Sequence, residues 1–443
     1  MSSCGWLTGC SGIPSFPGVE PTTAGAETAS SGPLSGLAHG GQQPIAGARI
    51  YLLAAGTSGY GSAATSLLTS ASVGGFTTQK DASGFYYVTT DANGKFQVNS
   101  NCTAGQQVYI ASVGGDPGAG TNSAANEIAI LGQCPQAGNF ENTLTGVYIS
   151  EISTIAAAFS AAAYATDTFH IGSPTSTTLQ KTGIANAFAN AANLFDVQDI
   201  NDLARTQTVS GNGTVPQSKI HTLANIIASC VNSSGPGSPS CTTLFNNTLS
   251  GGNTGTPPTD TTAAAINIAH NPWARGNRLF ALQTQSAPFP STLTTAPNDF
   301  ALALSFSNGA LGDNPSLAVD GSGNLFNVNP GSAAVAKLSP MGAVLSGSAG
   351  YAIGGGLTDA RALAVDPGNY IFVLGKGTSG STPIAVGVRM TNTGNYTNSY
   401  AEPALGTTHP PAASTNLVVD AAGYFYFSGV KTTTSPSTVC CTM

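Results

Sequence analysis

The sequence predicts a multidomain chain: an all-β sandwich, then an all-α helical domain, then a partial β-propeller of about three blades. Three observations lead there. Residues 34–145 carry short β-rich runs separated by turn residues, residues 146–290 switch to an Ala-rich helical period, and residues 291–443 repeat one hairpin pattern. A length of 443 residues agrees, because a single core seldom grows that large and two to four domains are expected.

In the first module, Ala48-Arg49-Ile50-Tyr51-Leu52-Leu53 and Gln107-Val108-Tyr109-Ile110-Ala111-Ser112 are β-rich. Gly84–Thr90 runs through Asp91-Ala92-Asn93-Gly94 into Lys95-Phe96-Gln97-Val98. Asn-Gly between two such runs predicts a hairpin, because the turn needs positive φ. Asp91 and Asn93 resemble the start of a calcium loop, but the downstream Glu is missing, so they are read as turn chemistry.

Near Val147 the period changes. Ile149–Ala165 is apolar with Glu151 in its first turn, and Gly183–Phe195 repeats the pattern. Val215–Val231 places Ile220, Leu223, Ile226, Ile227, Cys230 and Val231 on one face, with Pro216 in the first turn. Thr259-Asp260 caps a fourth helix that runs to His270 and stops at Asn271-Pro272.

In the last module Leu317-Ala318-Val319-Asp320 recurs as Leu363-Ala364-Val365-Asp366 and Leu417-Val418-Val419-Asp420, each followed by a Gly-containing turn and a second apolar strand. The three Asp lie 46 and then 54 residues apart, which is blade spacing. Closed propellers usually take 4–8 blades, so about three leave an open arc. Two expectations follow: a fragment of a longer reading frame, or an arc that a second copy closes into six blades across a dimer.

Only 7% of residues are charged, against roughly 25% in an ordinary soluble protein, and the net charge is −7. A surface of hydroxyls and amides suits a protein that leaves the cytoplasm. No Lys/Arg cluster exists to release counterions from phosphates, which excludes nucleic acid as a partner. No run of about 20 apolar residues occurs, so no transmembrane segment is expected.

Leu7-Thr8-Gly9-Cys10 has the shape of a lipobox, which makes Cys10 a lipidation candidate, yet only six residues precede Leu7 and none is basic. Chance, or a lipid anchor whose signal lies upstream of a misplaced start, are the two readings. The Ser/Gly/Thr/Pro-rich residues 1–33 suit a flexible linker either way.

Cys102 and Cys134 lie within one β-rich segment, and Cys230 and Cys241 flank a Ser/Gly/Pro loop. Both pairs read as disulfides of an oxidising compartment, with buried free thiols as the alternative. Adjacent Cys440 and Cys441 cannot comfortably bridge each other.

The Leu-Ala-Val-Asp…Gly-Asn pattern resembles the NHL repeat. Gly40-Gly41-Gln42-Gln43-Pro44-Ile45-Ala46-Gly47-Ala48, with Thr90–Phe96, resembles carboxypeptidase-regulatory-like or Cna-B-like sandwiches of Ig/prealbumin type. The whole order, with Asn267-Ile268-Ala269-His270-Asn271-Pro272 in its helical part, is similar to exported NHL-repeat proteins abundant in acidobacteria. The resemblance spans nearly the full chain and implies fold and an extracellular or outer cell-surface location. It carries over no catalytic residue.

Catalytic constellations are missing from the sequence. There is no Gly-x-Ser-x-Gly and no His-Glu-x-x-His, and His39, His170, His221, His270 and His409 are scattered. His221 and His270 both fall on predicted helices, where a two-His metal site competes with ordinary capping roles. Gly375-Lys376-Gly377-Thr378-Ser379-Gly380 matches Gly-x-Gly-x-x-Gly after a strand, but no helix follows and the segment is read as a loop. Related propellers include lactonases and lyases with a divalent metal in the channel, for which Asp320, Asp366 and Asp420 are candidates by count. Each sits beside its turn, where Asp accepts backbone hydrogen bonds. The expectation is a non-enzymatic surface protein with an unknown protein or glycan ligand, no cofactor and no catalytic or metal site. A metal-dependent propeller enzyme is the alternative.

Overall fold

The computed structural model describes residues 33–41, 43–284, 287–312, 316–329, 333–379, 382–401, 417–428 and 439–442. Cys10 and nearly all of the linker call fall outside them. The chain is β-rich, with several antiparallel sheets and six α-helices among the described residues.

Two sheets open the chain. One pairs Leu34–Gly40 with Lys95–Val98 (antiparallel) and with Val147–Ile149 (parallel). The other orders Asn126–Gln133, Gln107–Val113, Arg49–Ala54, Tyr86–Thr89 and Gln79–Lys80 side by side. Leu34, Phe96 and Val147 from the first sheet meet Ile50, Leu52, Val108 and Ile110 from the second in one buried cluster. The predicted Asn-Gly turn forms, with Asp91 Oδ1 accepting the N–H of Asn93 and of Lys95, both at 2.8 Å, but the predicted hairpin does not: Tyr86–Thr89 pairs with Arg49–Ala54 in the second sheet, whereas Lys95–Val98 crosses to pair with Leu34–Gly40 in the first. Gly94 has φ +71°, and a Cβ there would lie 2.5 Å from the Ala38 carbonyl oxygen.

The second sheet is covered on both faces. Tyr51, Leu53, Tyr109, Ala111, Ile128 and Ile130 point away from the first sheet into a core shared with the helices. That double burial accounts for the unbroken apolar runs Ile50–Ala54 and Val108–Ala111, since alternation is expected only where one face meets water.

The helices are α1 Glu151–Ser160, α2 Thr178–Leu194, α3 Gln217–Val231, α4 Pro239–Asn246, α5 Thr261–His270 and α6 Gly276–Phe280. Ser150 caps α1 with a reciprocal box to Ser153, Thr177 does the same for α2 with Gln180, and Asp260 caps α5. The first predicted helix stops early: after Ser160 a 3-10 turn and the short strand Ala165–Asp167 follow. Two disulfides close loops, Cys102–Cys134 in the first sheet pair and Cys230–Cys241 between α3 and α4.

The repeats form three antiparallel up-and-down sheets. The first holds Leu317–Val319, Leu325–Asn329, Ala334–Leu338 and Tyr351–Ala352; the second Leu357–Val365, Tyr370–Ser379, Thr382–Thr391 and Tyr396–Ala401; the third Leu417–Val419, Phe425–Ser428 and Val439–Thr442. They stack in series. Phe326, Val328 and Val335 of the first sheet pack on Leu363, Ile371 and Val373 of the second. Ala364, Phe372 and Leu374 on the opposite face of the second pack on Leu417 of the third, where Phe372 stacks on Phe425 with centroids 4.0 Å apart. No closed ring forms among the described residues.

The segment Gly375–Ser379 is strand rather than loop. It pairs on both sides, and a Cβ at Gly375 would lie 2.0 Å from the Asp359 carbonyl oxygen, so glycine here serves a close backbone approach.

Candidate functional site

The repeat aspartates are used locally. Asp320 Oδ1 accepts the N–H of Ser322 and of Asn324, both at 2.9 Å, while Oδ2 takes the Asn324 amide at 2.8 Å. Asp420 repeats the pattern with Ala422 and Tyr424, and its Oδ2 accepts the Tyr426 hydroxyl at 3.0 Å. The Tyr424 N–H first, then the other donors, hold the Asp420 carboxyl below the usual carboxylate range. Asp366 Oδ1 accepts the Tyr370 N–H, and its Oδ2 pairs with Arg389 at 2.8 Å, whose guanidinium stacks over the Tyr370 ring. Each Asp therefore braces its own turn, and no group of three or more His, Cys, Asp or Glu is arranged to hold a metal among the described residues.

The two helical histidines do not converge. His221 Nε2 accepts the Ala204 N–H while Nδ1 donates to the Pro290 carbonyl; burial lowers its pKa, against that hydrogen bond. His270 Nε2 donates to the Ala162 carbonyl at 2.7 Å.

A different cluster is the most electrostatically perturbed place among the described residues, and sequence reasoning missed it. Glu127, Glu151 and Asp202 are all buried where the first sheet pair meets α1. Both Glu151 carboxylate oxygens accept the Gly41 N–H, at 2.9 and 3.0 Å. Ser150, the cap of α1, donates to Asp202 Oδ1 at 2.6 Å. Neither carboxyl oxygen of Glu127 finds a partner, nor does Asp202 Oδ2 or the Ser112 hydroxyl, whose strand position is opposite Glu127. Burial drives the Glu127 pKa well up, with Glu151 and Asp202 adding like-charge repulsion. Burial raises Glu151 to about 8 against the pull of the Gly41 N–H, and raises Asp202 to about 6 against the Ser150 hydroxyl. At neutral pH Glu151, raised to about 8, stays largely protonated. Sealed from solvent, the cluster sits at the junction between the first sheet pair and α1.

The helical part also grips the repeats. Asn186, Asn190 and Asn193 lie along one face of α2 at i, i+4 and i+7. Their side-chain amides donate to the carbonyls of Ser322, Pro340 and Met341, and Asn212 adds a bond to Gly342 at 2.8 Å. Beside this contact lies a largely apolar cleft of about 370 Å³, lined by Ile130, Ala156, Phe188, Phe195, Val197 and Met341 among others.

No family model matches this chain, and no curated protein or solved structure matches it. Two disulfides accord with an oxidising, exported setting, and no described helix is long and apolar enough to cross a membrane.

Proposed function

We propose that this chain is a non-enzymatic protein of the extracellular or outer cell surface. Its first two sheets act as an Ig/prealbumin-like sandwich of Cna-B-like type, and its three repeat sheets act as NHL-like blades of a partial propeller. These modules bind or display, with a protein or glycan as ligand. The observation that carries this reading is the fate of the repeat acids: Oδ1 of Asp320, Asp366 and Asp420 accepts backbone N–H groups of its own turn, and Oδ2 pairs with Asn324, Arg389 and Tyr426 respectively, each within the same repeat sheet. A channel metal would instead draw unlike residues from different blades to one point. The low charge and the two disulfides favour export.

Metal analysis of purified protein, with and without added calcium and zinc, tests the non-enzymatic part. The reading expects no stoichiometric metal, and lowered stability in Asp320→Asn, Asp366→Asn and Asp420→Asn. Tightly held calcium or zinc that one of these variants loses would overturn it.

A further inference from the structure

We infer that the pocket between the second sheet and the start of α2 binds a sugar acid, with Lys181 as the counter-charge of its carboxylate. The inference rests on the reading of a binding protein with a glycan ligand and goes beyond it, because it names the site and the class of sugar.

The pocket, of about 400 Å³, falls in the size range of small-molecule sites. Two loops of the second sheet, residues 55–57 and 104–107, form one side. The approach to α2 and its first two turns form the other, with Thr175, Lys181 and Ile184. Lys181 is exposed and makes no ion pair among the described residues. No Asp or Glu lines the pocket, so this charge is uncompensated there. The positive end of the 17-residue helix α2 adds to it. In a chain of net charge −7 the pocket is therefore locally positive. It suits a ligand with a negative group, and an ammonium would find no partner in it.

The neutral groups narrow the class. Gln107 is only 9% exposed, and its Oε1 accepts no hydrogen bond. A buried acceptor left unpaired is costly, and a ligand hydroxyl would relieve it. Gln106 Oε1 accepts the Thr103 N–H, which leaves its Nε2 unspent, and the hydroxyls of Thr57 and Thr175 have no partner among the described residues. One cation ringed by neutral donors and acceptors matches a molecule with one carboxylate and several hydroxyls. An acidic peptide would instead lie along a free strand edge. The strands that reach the pocket, Arg49–Ala54 and Gln107–Val113, are each paired on both sides.

The test is isothermal titration calorimetry of the full chain at pH 7 with D-glucuronate, D-galacturonate, glucose, galactose and a short acetylated acidic peptide. Wild type should bind at least one of the two sugar acids, and its neutral counterpart at least tenfold more weakly. Lys181→Gln should weaken sugar-acid binding roughly tenfold, the value of one hydrogen bond to a charged group, and Lys181→Arg should restore most of it. Thr57→Trp, at an exposed loop position, should fill the pocket and abolish binding. Circular dichroism checks that each variant folds. Unchanged affinity in Lys181→Gln, equal affinity for the neutral sugars, tighter binding of the peptide, or no binding of either acid would each overturn the inference and leave the non-enzymatic reading standing. Conversion of the sugar during the titration, seen by chromatography, would overturn that reading instead.

Discussion

Glu151 is buried at the first position of α1, and its carboxyl titrates near 8 rather than at its ordinary 4.5. An acid whose folded-state pKa is raised loses stabilising influence as pH rises. Its contribution is intact below about 4.5, declines through the window up to about 8, and is gone above it. Each tenfold change in the proton equilibrium is about 1.4 kcal/mol, so the full window is worth at most about 5 kcal/mol. Water entry and local relaxation leave roughly half of that. Glu127 and Asp202 shift in the same direction and add to the slope. Wild-type urea midpoints, followed by circular dichroism at pH 5, 7 and 9, should therefore fall steadily. Glu151→Gln keeps an acceptor for the Gly41 N–H but cannot ionise, so its midpoint should fall less, with a gap of about 2 kcal/mol at pH 9. An identical pH slope in wild type and variant, or wild-type stability rising over this window, would refute the reasoning.

The remaining predictions concern the links between parts. Replacing Cys230 and Cys241 by Ser should cost about 3 kcal/mol in oxidised protein, the loop-closure value for a short loop, read as a shift in urea midpoint. Asp366→Asn keeps the turn acceptor but uncharges the Arg389 pair, and should cost roughly 1 kcal/mol, a difference that shrinks in high salt. Asn190→Ala removes a bond from α2 to the Pro340 carbonyl; limited proteolysis should then cut between residues 285 and 345 sooner, with the far-UV spectrum unchanged.

The three repeat hairpins were legible because Leu-x-Val-Asp followed by a Gly turn dictates its own local structure, and Asp320, Asp366 and Asp420 make the turn bonds that the pattern implies. Caps were legible for the same reason, as at Asp260. The acidic cluster was not. Glu127 reads as a polar break in a strand, Glu151 as a first-turn helix residue and Asp202 as a loop residue, and only packing brings them together. The run Ala48–Leu53 was legible as a strand, but not its burial on both faces, and the contact that Asn186, Asn190 and Asn193 make with the repeats was not legible, because only packing supplies the partner in each case. The Gly375–Ser379 strand was misread because Gly suggests a loop, whereas here it admits a neighbouring backbone.

The central claim is exposure at the cell surface, and one measurement addresses it directly. Intact cells of the native host are labelled with a membrane-impermeant amine reagent, and the peptides carrying the exposed Lys80 and Lys95 are mapped by mass. The account predicts label on both while the cells are still intact. Label that appears only after lysis would contradict it.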